Sequence, residues 1–286
     1  MSKTIKLHFV ENFSEGDTDG QLEAMKKDFK LVSADECDVL FCASVYKMEI
    51  ALRLKDQFKV PLVTYCWDYY KWVHGTNYGG LQWGKYAEFL KGCDLVLVPS
   101  NGQKLRLKEL LDIDSEVCEC SVNFYDHETK DENYVLDPVR DYPEENLGWV
   151  KKACEELNIP YIHTEHGYTQ EEFRKLVSNC TFMTCGYREA STGGLTLMEG
   201  LYNGKISLVS NSPYMGASNY IGDLGYYFQY DDFEDLKRKI LFLWENRKTI
   251  PKNIARKHCL YFTHKRFSSR IKKKILCVLK KNLLKD

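Results

Sequence analysis

Two α/β domains, each built on a parallel β-sheet, are predicted by three features of the chain. Short apolar runs alternate with amphipathic helical patterns through both halves, the order that parallel strands joined by crossover helices require. A charged stretch without periodicity, NFYDHETKDEN at residues 123–133, separates the halves and predicts a linker. Thr181 to Val209 then reads as strand, glycine turn, helix and strand, a unit whose turn suits an anionic ligand.

Length and composition set the bounds. With 286 residues, 44% of them hydrophobic and 28% charged, the chain can bury one large core or two smaller ones. It holds no run of about 18 apolar residues, and the opening MSKTIKLHFVENF predicts a strand rather than a secretory signal. A cytoplasmic protein is expected. The 11 cysteines are scattered along apolar runs, as at Cys42, Cys66, Cys180 and Cys277, and are expected as small buried hydrophobes of a reducing compartment. Cys118 and Cys120 bracket one residue and no CxxC occurs, which argues against zinc. Net charge is −1, but residues 252–286 carry 12 Lys or Arg against one acid. A basic tail thus follows an acidic body.

Taken in order, Ile5–Val10 is the first predicted strand, followed by the polar loop ENFSEGDTDG and a helix over Gln21–Phe29. Asp17 and Asp19 form a DxD between glycines, read as turn chemistry rather than as a metal-ligand pair. Strands Val39–Cys42 and Pro61–Tyr65 flank a helix over Val45–Phe58. The segment TYCWDYYKWVHGTNYGGLQW concentrates aromatic rings on a loop after a strand, where they stack on a sugar or base or fill space beneath the loop. A helix over Gln82–Lys91 and a strand over Asp94–Val98 precede PSNGQKLRLKELL. There Ser100 and Gln103 predict a capping box, and Leu105, Leu107, Leu110 and Leu111 an apolar side. A strand over Glu116–Val122 closes the half.

The second half opens on a strand, Tyr134–Leu136, and a helix over Glu144–Leu157. The strand Pro160–His163 leads to Thr169 and Glu172, a second predicted capping box. His163 and His166 lie three apart with no third ligand converging on them. Strand Thr181–Cys185 runs into Gly193 and Gly194, then a helix over Leu195–Tyr202 and a strand over Ile206–Val209. Residues without a Cβ let backbone amides approach a ligand closely. The helix they open offers free N–H groups and a dipole to a diphosphate. Glu199, one turn inside that helix, is an acceptor suited to the paired hydroxyls of a ribose. Asp231–Asn246 predicts an amphipathic helix. RIKKKILCVLKKNLLKD places Ile271, Ile275, Val278 and Leu279 at helical spacing among lysines. This tail fits a packed helix, an anionic membrane surface or nucleic-acid phosphates.

In this order the motifs resemble the family 4 glycosyltransferases of the GT-B fold, and the resemblance covers nearly the whole chain. It implies two Rossmann-like parallel-sheet domains facing across a cleft: an acceptor domain over residues 1–125, a donor domain over 133–250, and basic helices over 251–286 that cross back to the first domain. The family's nucleotide-sugar loop has Glu, seven residues, Glu, with Gly between. Glu199 matches the second Glu, and Ser191 stands where the first belongs. Glu189, two residues earlier, is the implied substitute for orienting donor-sugar hydroxyls. Relatives clamp the diphosphate with an Arg and a Lys; Arg140 matches the Arg, Glu145 stands at the Lys, and Arg188 is the implied replacement cation. A His-Asp pair of the first domain reads Trp67-Asp68 here, so Asp68 is retained and His74 stands in for the His on the acceptor side.

The implied activity is transfer of a sugar from a nucleoside diphosphate sugar to an acceptor hydroxyl with retention. Donor contacts are then expected at Arg188, Ser191, Gly193, Gly194, Leu195, Thr196 and Glu199, with no metal and no cofactor besides the sugar nucleotide. The acceptor is left as a glycan, a lipid or a modified nucleic acid, and the basic tail as a peripheral membrane contact. A nucleotide-sugar epimerase and a silent nucleotide-binding scaffold are the alternatives on the same fold.

Overall fold

A computed structural model describes residues 4–10, 18–43, 45–66, 83–126, 130, 132–138, 148–164, 168–185, 194–249 and 255–282. The chain divides into two compact units, residues 1–121 with 263–286, and residues 122–262.

The first unit alternates strand and helix: β1 (Lys6–Phe9), α1 (Thr18–Asp28), β2 (Lys30–Leu31), β3 (Val39–Cys42), α2 (Met48–Phe58), β4 (Leu62–Tyr65), α3 (Trp83–Lys91), β5 (Leu95–Val98), α4 (Asn101–Leu111) and β6 (Glu116–Val117). Its six strands run parallel in the order β2-β1-β3-β4-β5-β6. Every residue of β3 and β4 is buried, because helices cover both faces of such a sheet and leave no solvent side. That is why their sequences read as unbroken apolar runs.

Three local expectations change in this unit. Ser100 does cap α4, its Oγ accepting from the Gln103 N–H at 3.2 Å. The Gln103 side chain, however, is fully buried and its Nε2 donates to the Cys66 carbonyl at 2.7 Å. The predicted box is therefore half made, with the amide recruited to satisfy the end of β4. The leucines of α4 do not form one side: Leu107 is buried, while Leu105 is 42% and Leu110 49% exposed, since positions 105 and 107 point to opposite faces at 100° per residue. The predicted strand 116–122 is a two-residue bridge, β6. Beyond it the Cys118 carbonyl accepts a 2.6 Å hydrogen bond from the buried Tyr65 hydroxyl.

The second unit contains β7 (Val135–Asp137), α5 (Trp149–Leu157), β8 (Tyr161–His163), α6 (Gln170–Asn179), β9 (Phe182–Cys185), α7 (Leu195–Tyr202), β10 (Ile206–Ser210), α8 (Gly216–Ile221), β11 (Tyr226–Phe228), α9 (Phe233–Asn246) and α10 (Ala255–Cys259). Its five strands are also parallel, in the order β11-β10-β9-β7-β8. Thr169 and Glu172 complete the predicted capping box at α6. One core joins Val135, Phe182 and Leu208 of the sheet to Val150 of α5 and Leu236 and Ile240 of α9.

At the start of α9, Asp235 is 8% exposed. Its carboxylate accepts from the Gln229 N–H at 2.6 Å and pairs with Arg238. The Gln229 amide, with Arg238 adding to it, holds this carboxyl below the usual aspartate range. A depressed folded value contributes stability that is present above the unfolded pKa of about 3.9 and is lost as pH falls through the folded value. Asp235→Asn should therefore lower the melting temperature at neutral pH, and the gap to the parent should close below about pH 4. Melts across that range check this; a gap unchanged in acid would contradict it.

The last helix, α11 (His264–Asn282), returns to the first unit and packs on α1. Phe267, Ile271, Ile275 and Val278 form its buried stripe. Lys272, Lys274 and Arg270 flank that stripe and pair with Asp28, Glu116 and Glu119. No helix among the described residues is long and apolar enough to cross a membrane. All 11 cysteines are free; nine are buried and Cys277 alone is exposed.

Candidate functional site

In a parallel α/β sheet, ligands gather beyond the carboxyl ends of the strands. In the second unit β7 ends on Asp137 and β8 on His163, neighbours in register. Asp137 is 3% exposed. Its Oδ2 lies 3.2 Å from His163 Nδ1, its Oδ1 lies 3.5 Å from the Thr184 hydroxyl of β9, and its carbonyl accepts from the Thr164 N–H at 3.2 Å. A buried carboxylate needs such partners to offset its lost hydration. Burial, with the Asp137 carboxylate adding to it, pushes the Cys154 thiol up to about 12, so this cysteine stays protonated and is no nucleophile.

Next to this pair β9 leads, through residues 186–193, to Gly194 and α7. Gly194 has φ −142°, which any residue adopts, so positive φ is not why glycine stands here. A Cβ at this position would lie 2.9 Å from the Ala217 Cβ and 3.0 Å from its Cα. Glycine thus lets the first turn of α7 rest directly on α8. At Gly200 a Cβ would lie 2.1 Å from the Met183 sulfur, so the same helix lies flush on β9. From the other side, Arg256 of α10 donates to the Tyr202 hydroxyl at 3.0 Å, and the Tyr202 ring stacks on Phe124 at 4.8 Å. The helix is held at both ends. The amides of Leu195 and Thr196 precede its first internal hydrogen bond, from Met198 N–H to the Gly194 carbonyl at 2.9 Å. They are among the donors a helix start offers to an anion.

Glu199 is half-buried and lines a cavity of about 10 Å³ with Tyr125, Arg174, Val177 and Asn203. That is room for about one water. The Arg174 guanidinium lies 3.3 Å from the centre of the Tyr125 ring, and its Nε and Nη2 are buried with no hydrogen-bond partner among the described residues. A carboxylate and a guanidinium thus border one small cavity beside α7.

Of the predicted site residues, Gly194, Leu195, Thr196 and Glu199 come together on α7 at the carboxyl edge of the second sheet. Asp68, His74, Arg140, Arg188, Glu189, Ser191 and Gly193 lie outside the described residues. Asp137 was not singled out from the sequence; the signal was an acid closing an apolar strand just before Pro138. Arg174 and Tyr125 gave no signal, because their meeting with Glu199 joins three segments distant in sequence. Among the described residues no group of three or more His, Cys, Asp or Glu is arranged to hold a metal ion.

No protein-family model and no curated protein sequence matches the chain. Solved structures match its fold. A glycosyltransferase from Rickettsia africae ESF-5 is 15% identical, with a TM-score of 0.65 over 98% of this chain and 100% of that one. Anabaena HepE in complex with UDP-glucose is 11% identical, with a TM-score of 0.68 over 96% of this chain and 100% of that one. The lipopolysaccharide outer core galactosyltransferase WaaB is 12% identical, with a TM-score of 0.67 over 96% and 99%. The likeness establishes the fold of this chain: two Rossmann-like parallel-sheet units of the GT-B arrangement.

Proposed function

We propose that the chain is a glycosyltransferase that takes a hexose or similar sugar from a nucleoside diphosphate sugar and places it on an acceptor hydroxyl, with retention, as family 4 enzymes do. The observation that carries this reading is α7, with Leu195 and Thr196 at its start and Glu199 one turn inside, at the carboxyl edge of a parallel sheet. A structural neighbour, HepE, was solved with UDP-glucose, with UDP and glucose, and with UDP, which supports a uridine donor here.

As the donor's anomeric bond breaks, negative charge builds on the departing diphosphate. Fixed donors aimed at that charge lower the barrier because they need no reorganisation during the step. The amides of Leu195 and Thr196 would supply part of this, with Arg140 and Arg188 as the cations and Glu189 holding the donor sugar. Glu199 would take the ribose hydroxyls. The leaving phosphate would help remove the acceptor proton, so no strong side-chain base is required. Asp68 and His74, in the first unit, would line the acceptor side. The scheme needs no metal ion, and turnover should persist in chelator.

The Asp137–His163 pair would hold the imidazole at the strand ends in one orientation, as buried carboxylates do for histidine. A thermal-shift screen of UDP, GDP and ADP sugars tests the reading, because a ligand bound only by the folded state raises the melting point. A rise with one nucleotide class, followed by sugar transfer whose product anomer NMR assigns, is the expected result. A shift without turnover on any acceptor would leave a nucleotide-binding scaffold, consistent with Ser191 and Glu145 standing at the family's Glu and Lys. No shift with any sugar nucleotide would end the proposal.

A further inference from the structure

The helix α11 carries eight Lys or Arg and no acid, and the fold sorts six of these cations into two sets. Arg270, Lys272 and Lys274 flank the buried stripe and are tied to Glu119, Asp28 and Glu116 at 3.5, 3.9 and 2.6 Å. Lys265, Lys273 and Lys280 are exposed and make no ion pair among the described residues. At 100° per residue the three fall within about 80° of one another, so they share one outward face roughly 20 Å long at 1.5 Å per residue. Leu276, 38% exposed, sits on that face between Lys273 and Lys280, and exposed Cys277 lies beside it.

The apolar stripe that the sequence offered to a membrane is used otherwise. Ile271 and Ile275 are fully buried and Val278 is 7% exposed, packed within the first unit. What the helix presents outward is a face of ammonium groups with a leucine among them. We propose that this face docks the first unit on an anionic lipid surface, α11 lying in the plane of the headgroups. The lysines would meet lipid phosphates while Leu276 enters the interface.

Charge complementarity carries the anionic part, since lysines near such a surface attract it and are weakened by salt. Leu276 decides between two polyanions. A lipid interface accepts an apolar side chain beside the lysines, whereas a nucleic-acid backbone offers phosphates and sugars at that depth and gains nothing from it. The inference uses only the first unit and stands independently of the sugar-transfer reading.

The test is co-sedimentation of the full chain with phosphatidylcholine vesicles, with and without phosphatidylglycerol. Binding is expected only to the anionic vesicles, falling as salt rises. Each lysine near the surface is worth about fivefold, so Lys273→Glu with Lys280→Glu should weaken binding by more than about tenfold. Both positions are exposed, and unchanged melting would show the variant folded. Alkylation of Cys277, the exposed thiol, reads the face directly and should slow when anionic vesicles are added. Equal binding to neutral vesicles, indifference to the double substitution, or tighter binding to a single-stranded oligonucleotide than to anionic vesicles would each overturn the proposal.

Discussion

Replacing Glu199 by alanine should abolish the melting-point rise that UDP or UDP-glucose gives the chain, while leaving the unliganded melting point nearly unchanged. The two halves of the expectation come from the same geometry. Glu199 is half-buried on α7, and the helix is anchored by Leu197, Met198 and Leu201 rather than by its glutamate. Truncating the side chain removes no core contact of comparable size. The carboxylate is nevertheless partly withdrawn from solvent, and partial exclusion of water strengthens its hydrogen bonds. A hydrogen bond to a charged group is worth about 1.5–3 kcal/mol. Losing two of them to a ribose should weaken nucleotide affinity by about 10²-fold or more. Titration calorimetry of parent and variant with UDP would measure this. An affinity within threefold or so of the parent would remove Glu199 from the donor site.

Phe267→Ala should destabilise the first unit more than any surface change in the chain. Phe267 is 1% exposed and meets the edge of the fully buried Tyr65 ring at a centroid distance of 5.7 Å. Tyr65 in turn donates to the Cys118 carbonyl, so a cavity at Phe267 loosens a hydrogen-bonded ring as well as removing apolar contacts. A buried Phe→Ala change costs about 3–5 kcal/mol, which for a unit of this size lowers the melting point by on the order of 10 °C. Chemical denaturation would report the difference directly. A loss under about 1 kcal/mol would mean that α11 is an appendage and not part of this core.

Much of the fold was legible because parallel sheets write themselves plainly. Val39–Cys42 and Leu62–Tyr65 are apolar on both faces, so their runs mark strands without any need for alternation, and Thr169 with Glu172 marked a helix start by a purely local rule. The leucines of α4 misled for a related reason. Four leucines in seven residues look like a face, but which of them is buried depends on where the helix sits on its sheet, and Gln103 was claimed by the Cys66 carbonyl from a strand 37 residues away. At the candidate site Glu199 and the glycine turn were visible as a contiguous motif. Asp137 and Arg174 were not, since each gains its meaning from neighbours on other strands and helices.

What the chain's order of residues settled alone was local: apolar runs and helical periods set which segments become strands and helices, and short-range hydrogen-bonding rules set where several helices start. Only the tertiary structure decided that Gly194 is there to let α7 touch α8, that Asp137 and His163 meet at adjacent strand ends, and which lysines of α11 are tied down and which face outward. Those outcomes turn on distances between segments far apart in sequence, and a linear pattern carries no term for them until the sheets bring the segments together.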